Sequence, residues 1–322
     1  MNFLFRYNMN SYWYEKIDFL KQKYPECSFH TEPLLPKNEY DGIITNDFSE
    51  KDSDDFENIK IVFIPFAGVN HINTDLFIKK NIILSNSHGN GKIVAEKAVA
   101  LLFALSNKLI EYHNDLKEGI WHGFTVKKST DDSWESISGS TVSVLGTGEI
   151  GKNIAKYLKP FDVKIIGFKK NTENYDKTLF DEITNDIMYA VKESDIIFLC
   201  LPSTKDTENI ITKKELDLMK EKFLINVGRG NLINERDLYN ALLSENIKGF
   251  ASDVWFNYPE KHGYCLPSSY PITLFRNVVV SPHVGGYTKK AVKSGIDYCI
   301  ESISDFIEKG TPQKTVDLKN KY

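Results

Sequence analysis

Residues 141–171 read TVSVLGTGEIGKNIAKYLKPFDVKIIGFKKN. The apolar run Val142–Leu145 reads as a strand. It turns through Gly146, Gly148 and Gly151, continues as a helical pattern to about Leu158, and ends in a second apolar run from Val163 to Phe168. Strand, glycine turn, helix and parallel strand make one βαβ unit. Each glycine serves a separate need: a tight turn, close approach of backbone to a pyrophosphate, and packing of helix on strand. The helix N-terminus offers free amides and the positive dipole end to an anion. In this context the G-x-G-x-x-G pattern predicts dinucleotide binding, with Gly146, Gly148 and Gly151 as contacts.

The residues after the second strand bear on which dinucleotide. A site for NAD places Asp or Glu about 20 residues beyond the glycines, where it accepts hydrogen bonds from the ribose. This chain has Lys169, Lys170 and Asn171 there. Two ammonium groups suit a 2′-phosphate, so the expectation is a coenzyme site that prefers NADP(H) and accepts NAD(H).

At 322 residues the chain is long enough for two domains, each with its own core. Its 41% apolar and 26% charged residues are those of a globular protein, and a net charge of −4 with both signs mixed gives no footprint for nucleic acid. Neither nucleic acid nor a membrane is expected as a partner, because no apolar run approaches the length of a bilayer span. Cys27, Cys200, Cys265 and Cys299 are far apart without C-x-x-C spacing and read as buried small hydrophobes in a reducing compartment, and no metal site is expected. The opening MNFLFRYNMNSYWYEK soon turns polar instead of forming a signal sequence, which predicts a cytoplasmic protein.

Outward from the glycine turn, the chain alternates strand-like and helix-like stretches. Phe3–Tyr7, residues 42–45 and residues 59–65 read as strands, and residues 12–23 as a helix. The strand at 59–65 runs into Pro65-Phe66-Ala67-Gly68, a place where backbone donors can hold a small anion. A second turn, Ser87-His88-Gly89-Asn90-Gly91, follows the run 82–84. From Ile93 an amphipathic pattern predicts one helix to about Leu116. Trp121 and Trp134, in the polar connection after it, read as packing aromatics. Beyond the glycine turn come DIIFLCL, FLINV, GFASDV and VVVS, ending in or followed by Pro, Gly-Arg-Gly, Asp or Pro-His. Strands ended this way predict a parallel sheet whose carboxyl ends line one crevice.

With PFAGVNHI, IVAEKAVALLFAL, ISGSTVSVLGTGEIG, INVGRGNLINERDLYNALLSENIKGFASDVW and VVVSPHVGGYT in this order, the chain from about residue 60 to 295 resembles the D-isomer-specific 2-hydroxyacid dehydrogenases. That family includes glyoxylate and hydroxypyruvate reductases, phosphoglycerate dehydrogenase and formate dehydrogenase. The resemblance implies an α/β protein in which a Rossmann-type, doubly wound parallel coenzyme domain (residues 95–286) is inserted in a smaller flavodoxin-like α/β substrate domain (residues 1–94 and 287–322). A cleft would lie between them. Family members are commonly homodimers through the coenzyme domain, so a homodimer is expected.

The same resemblance implies roles. Arg229 in N-V-G-R-G matches the arginine that binds the substrate carboxylate and polarises the keto oxygen, a task suited to a planar fork that stays charged. His283 in S-P-H-V-G-G matches the acid/base that meets the alkoxide made by hydride transfer, and it also lies against the coenzyme. The backbone of Ala67 and Gly68 would hold the carboxylate from the other domain, with Asn90 at a position that holds substrate in formate dehydrogenases. Asp253 matches the aspartate that contacts the nicotinamide carboxamide. Glu149, Ile150, Pro202, Thr207, Val227, Gly228 and Gly285 match coenzyme contacts. His71 could approach the carboxylate-binding turn, whereas His88 has no position comparable to that of His283.

One departure stands out. Where most of the family carries an acid that hydrogen-bonds the histidine, five positions after the aspartate of D-V, this chain has Tyr258. Formate dehydrogenases have a neutral glutamine there. Tyrosine can orient the imidazole but cannot stabilise imidazolium as a carboxylate would, which predicts a pH optimum at lower pH; Glu260, two residues on, is the carboxylate that could substitute. The expected activity is NADPH-favoured reduction of a small 2-keto acid to the D-2-hydroxy acid. A dinucleotide-sensing binding protein without turnover is the alternative, and a formate-type dehydrogenase a weaker third.

Overall fold

The computed structural model describes residues 1–69, 71–126, 130, 132–173, 175–260 and 263–319, and these fall into two compact units, Met1–Asn90 with Tyr287–Tyr322 and Gly91–Gly286.

The first unit opens with β1 (Asn2–Arg6), α1 (Ser11–Lys23), β2 (Ser28–His30), β3 (Gly42–Thr45), α2 (Glu50–Asp55), β4 (Ile61–Ile64), α3 (Thr74–Lys80) and β5 (Ile83–Asn86). Its five strands pair in parallel in the order β2-β1-β3-β4-β5, the flavodoxin-like order. β3 (GIIT) and β4 (IVFI) are buried along their whole length, as strands covered on both faces must be. Asn10 caps α1 by accepting from the amides of Tyr12 and Trp13, and Trp13, Ile17 and Leu20 then face the sheet at helical spacing.

The second unit comprises α4 (Gly91–Ser106), α5 (Leu109–Lys117), β6 (Thr141–Leu145), α6 (Glu149–Leu158), β7 (Lys164–Phe168), β8 (Glu182–Thr184), α7 (Ile187–Lys192), β9 (Ile196–Leu199), α8 (Lys213–Leu216), β10 (Phe223–Asn226), α9 (Glu235–Leu243), β11 (Gly249–Ser252) and β12 (Val278–Val280). Its seven strands are all parallel, in the order β12-β11-β10-β9-β6-β7-β8. This is the doubly wound order, with the direction of winding reversing at β6. One apolar layer, including Leu101, Val144, Ile154 and Leu158, covers one face; a second, including Leu145, Ile197, Leu224 and Leu238, covers the other. Each such side chain removed from water contributes roughly 1.5–3 kcal/mol. The chain then returns to the first unit as α10 (Lys289–Lys309), which lays Ile296, Cys299, Ile300, Ile303 and Phe306 into the same apolar cluster as Trp13 and Phe63.

The single helix expected from Ile93 to Leu116 is two. Lys108 takes a left-handed conformation (φ +49°) between α4 and α5, and the Ser106 carbonyl accepts from the amide of Glu135. The apolar period runs through the break, so it could not reveal it.

Candidate active site

The coenzyme turn sits at the reversal point of the larger sheet. Gly146, just past β6, has φ +107°, which L side chains avoid, and a Cβ there would lie 2.9 Å from the carbonyl carbon and oxygen of Cys200, at the end of neighbouring β9. Gly151 is equally constrained, since a Cβ would meet the Gly146 oxygen at 2.0 Å. Gly148 is the N-cap of α6 and offers no side chain, so no side chain of the cap competes for the first-turn amides. The predicted contacts Glu149 and Ile150 are the first two residues of that helix. These features fit a pyrophosphate: the chain turns tightly at Gly146, helix packs on strand at Gly151, and the first-turn amides of α6 face no side chain of the cap.

Pro202 and Thr207 lie on one loop beyond β9, where the Thr207 hydroxyl donates to the Pro202 carbonyl at 2.6 Å and accepts from the Thr204 amide at 2.8 Å. Lys169, Lys170 and Asn171 follow β7. The Asn171 carboxamide accepts from the Glu173 amide, and Lys169 Nζ lies 3.4 Å from the Glu173 carbonyl. Lys170, nearly fully exposed, pairs with Asp206 at 3.4 Å. Sequence reasoning did not foresee Asp206, because only the fold brings that loop beside the end of β7. An exposed pair of this kind contributes little to stability.

The ends of β10, β11 and β12 carry the next group. Asn226, buried at the last position of β10, donates from Nδ2 to the Arg229 carbonyl (2.9 Å) and accepts at Oδ1 from the Gly228 amide (3.0 Å). One side chain thus ties the turn that presents Arg229. Glycines are required on both sides of it: a Cβ on Gly228 would lie 2.6 Å from the Leu201 oxygen, and one on Gly230 2.1 Å from the Trp255 oxygen. The Arg229 guanidinium donates to the Gly228 carbonyl at 2.7 Å and has no carboxylate partner among the described residues. Burial lowers its pKa, opposed by Tyr258, yet an arginine keeps its charge. Val227, the predicted coenzyme contact beside it, is buried.

Asp253, just past β11, is 3% exposed, and both of its oxygens accept hydrogen bonds. Its Oδ1 accepts from the Ser281 hydroxyl (2.5 Å) and the Val284 amide (3.0 Å), and its Oδ2 from the Gly285 amide (2.7 Å). Both oxygens therefore hold the turn Ser281–Gly285, which carries His283 at φ +56°. A left-handed non-glycine residue is strained and persists only where its surroundings over-determine it. Burial lowers the His283 pKa below the ordinary 6.5, the Arg229 charge lowers it further, and Asp253 opposes both.

Tyr258 touches His283 through its ring, with centroids 5.4 Å apart and planes at 58°, while its hydroxyl accepts from the Trp255 amide at 3.0 Å. The contact is a ring packing and not the orienting hydrogen bond considered from the sequence. Glu260 is exposed and forms no hydrogen bond or ion pair among the described residues. Among the described residues, therefore, no carboxylate takes the place the departure left open.

Ala67, Gly68 and Asn90 belong to the first unit. Asn86, at the end of β5 and buried, donates to the Ala67 carbonyl at 2.6 Å. The amides of Ala67 and Gly68 donate no hydrogen bond among the described residues. Phe66 stacks on His71 (5.8 Å, 28°), whose Nε2 lies 2.8 Å from the Asn46 carbonyl. Asn90 is the last residue before the second unit begins and is partly buried. Asn226 and Asn86 escaped sequence reasoning; the only available signal was a polar residue closing an otherwise apolar strand.

The family model for the D-isomer specific 2-hydroxyacid dehydrogenase NAD binding domain matches residues 99–285. The D-3-phosphoglycerate dehydrogenase of Methanocaldococcus jannaschii is 29% identical over 280 residues, 86% of this chain and 50% of that protein, so the chain spans half the length of that relative. The glyoxylate reductase of Thermococcus litoralis is 28% identical over 315 residues, covering 92% of this chain and 91% of that protein. The solved NADPH-dependent glyoxylate/hydroxypyruvate reductase of Sinorhizobium meliloti shares the fold, with a TM-score of 0.76 at 21% identity over 99% of this chain and 98% of that one. A glycine turn at the sheet's reversal point, an arginine and a histidine on tied strand-end turns, and a family model spanning more than half the chain lead to one conclusion: the chain belongs to the D-isomer specific 2-hydroxyacid dehydrogenases, oxidoreductases that act on CH–OH donors.

Proposed function

We propose that the protein reduces a small 2-keto acid to its D-2-hydroxy acid, with NADPH favoured over NADH. The observation that carries this is Arg229: a partly buried guanidinium without a carboxylate partner among the described residues, close enough to His283 to lower its pKa. Such a cation calls for an anion, and a substrate carboxylate fits its planar fork. The amides of Ala67 and Gly68, which donate to no acceptor among the described residues, are available to a carboxylate. A bound nicotinamide dinucleotide supplies the hydride. Arg229 polarises the keto oxygen, and His283 delivers the proton that oxygen needs. Asn226 and Asp253 keep the two side chains in place through the turns they tie.

The small, glyoxylate-like substrate is supported by the likeness to a glyoxylate reductase over most of both chains. NADPH preference is supported by Lys169 and Lys170 where an NAD site would carry an acid; Asp206 beside Lys170 tempers it without removing it. A homodimer through the second unit is supported by the exposed apolar side chains Leu109, Leu116, Ile120, Trp121, Phe124 and Trp134, a patch of the kind that marks association. This reading replaces that of Trp121 and Trp134 as packing aromatics, since both are more than half exposed. Four free cysteines support a reducing compartment such as the cytoplasm.

The test is oxidation of NADPH and NADH by the purified protein against a panel of 2-keto acids, with Arg229→Ala and His283→Ala alongside. Turnover favouring NADPH that both substitutions abolish supports the proposal. Tight coenzyme binding without turnover would replace it with a dinucleotide-sensing protein, and a clear NADH preference would overturn the coenzyme assignment.

A further inference from the structure

We infer that Asn86 and His88 are positioning residues that aim the Gly68 amide, and through it set the affinity for the substrate carboxylate. The inference rests on the reading that the Ala67–Gly68 turn holds that carboxylate.

Asn86 is the register partner of Ile64, so it stands level with the last residue of β4 and reaches forward to the turn beyond it. Its Nδ2 donates to the Ala67 carbonyl at 2.6 Å, and its Oδ1 lies 3.2 Å from His88 Nε2. The chemistry fixes the direction of this chain. Turning the carboxamide over would set its oxygen against the Ala67 carbonyl, acceptor against acceptor. With Nδ2 towards Ala67, Oδ1 must accept, and Nε2 of His88 is the nitrogen that carries the proton.

His88 is held in turn by α10. Its ring packs edge-on against Tyr298 (6.4 Å, 66°), Ser87 donates to the Gly295 carbonyl at 3.0 Å, and a Cβ on Gly89 would meet the Ser294 oxygen at 2.2 Å. The segment is therefore fastened on both sides of the imidazole. Burial, and then the Lys314 charge, push the His88 pKa down to about 4, so the ring is a neutral donor at neutral pH.

The consequence for Gly68 follows from peptide geometry. The Ala67 carbonyl and the Gly68 N–H share one planar peptide unit, which is trans, so they point in opposite directions. Pinning the carbonyl on Asn86 aims the Gly68 N–H the other way, and that amide has no hydrogen-bond acceptor among the described residues. Releasing the carbonyl frees the peptide unit to rotate, and the donor loses its aim before any ligand arrives.

The experiment compares the parent with Asn86→Asp, His88→Phe and His88→Gln. Asn86→Asp removes the donor to Ala67; His88→Phe keeps a ring against Tyr298 without a donor; His88→Gln restores one. Glyoxylate and its ethyl ester, which lacks the carboxylate, are the probes. The readouts are KM, kcat, coenzyme Kd, and the shift of the Gly68 amide resonance on titrating glyoxylate into labelled protein. Asn86→Asp should raise the glyoxylate KM, or the concentration that half-shifts the Gly68 resonance, by about tenfold or more, with kcat within about threefold and NADPH Kd within about twofold. His88→Phe should raise it by about fivefold and His88→Gln bring it back to within about twofold. The ester should be indifferent to all three.

Unchanged glyoxylate binding in folded Asn86→Asp and His88→Phe overturns the inference, as does an equal effect on the ester. A parent that does not distinguish glyoxylate from its ester, and whose Gly68 resonance ignores glyoxylate, refutes the carboxylate-holding turn itself and removes the inference with it. That outcome is visible before any variant is compared.

Discussion

Asp253→Asn is the change that most directly probes how the histidine turn is held. The substitution conserves shape, and an asparagine oxygen can still accept from the Ser281 hydroxyl and the Val284 amide. Its Nδ2, however, would face the Gly285 amide 2.7 Å from the present Oδ2, donor against donor. At 3% exposure no water replaces the lost acceptor. Hydrogen bonds to charged groups contribute about 1.5–3 kcal/mol and an unsatisfied buried amide costs about 1–3 kcal/mol, so a loss of roughly 2–4 kcal/mol is expected. For a unit spanning residues 91–286 that corresponds to a fall in Tm of roughly 5–15 °C.

The same substitution bears on activity in two ways. A loosened Ser281–Gly285 turn misplaces His283, and misplacement on the ångström scale costs about 10²-fold in kcat/KM. Asp253 also raises the His283 pKa against the lowering by burial and Arg229, so its charge removed, the pKa falls further. Reduction needs protonated His283 and is lost as pH rises through that pKa; the descending limb of the rate profile therefore moves to lower pH. Thermal unfolding and the pH dependence of glyoxylate reduction measure both effects. A Tm within about 1 °C of the parent together with an unmoved limb would refute the claim that Asp253 holds this turn.

Three further outcomes are expected. His283→Gly and His283→Ala should both abolish reduction, but the glycine variant should be the more stable by about 1 kcal/mol in urea unfolding, because only glycine takes φ +56° without strain; equal midpoints would count against a strained turn. In the parent the descending limb should lie below pH 6.5, and Tyr258→Glu, which puts a carboxylate beside the imidazole, should move it upward, while Tyr258→Phe leaves it in place and loses only the hydroxyl that accepts from Trp255. Identical profiles would show that this position does not set the histidine's proton affinity. Gly151→Ala, whose methyl would lie 2.0 Å from the Gly146 oxygen, should weaken NADPH binding by about tenfold or more in a fluorescence titration, and an unchanged Kd would remove the glycine turn from the coenzyme site.

The parallel strands and the glycine turn were legible because strands covered on both faces are mainly apolar: FLIN, GFAS and IVFI announce themselves. Edge strands need not be, and β2 (SFH) and β8 (EIT), each at the margin of its sheet, escaped notice. The break at Lys108 was hidden because Leu109 keeps the apolar period going while the backbone leaves it. Arg229 and His283 were legible from the turns around them. What ties those turns was not: Asn226 acts on its own turn two and three residues on, with no motif to announce it, and Asp253 acts on residues 281–285, which only the fold brings near.

The arrangement of those ties explains how this sheet presents a charged guanidinium and an imidazole together without an ion pair between them. β10, β11 and β12 are neighbours whose last residues are in register, Asn226 with Ser252 and Ser252 with Val280. Each strand end hands a hydrogen bond to the next: the Asn226 carbonyl accepts from the Asp253 amide, and the Ser252 carbonyl from the Ser281 amide. Side chains repeat the handover one step further out, Asn226 closing the Arg229 turn and Asp253 the His283 turn. Arg229 and His283 are thus presented by one interlocked row of strand ends and not by two independent loops. Both turns start from strand ends whose spacing in the sheet is fixed at about 4.8 Å per strand. Both oxygens of Asp253 serve this turn, and its charge opposes, without overcoming, the burial and the Arg229 charge that lower the His283 pKa.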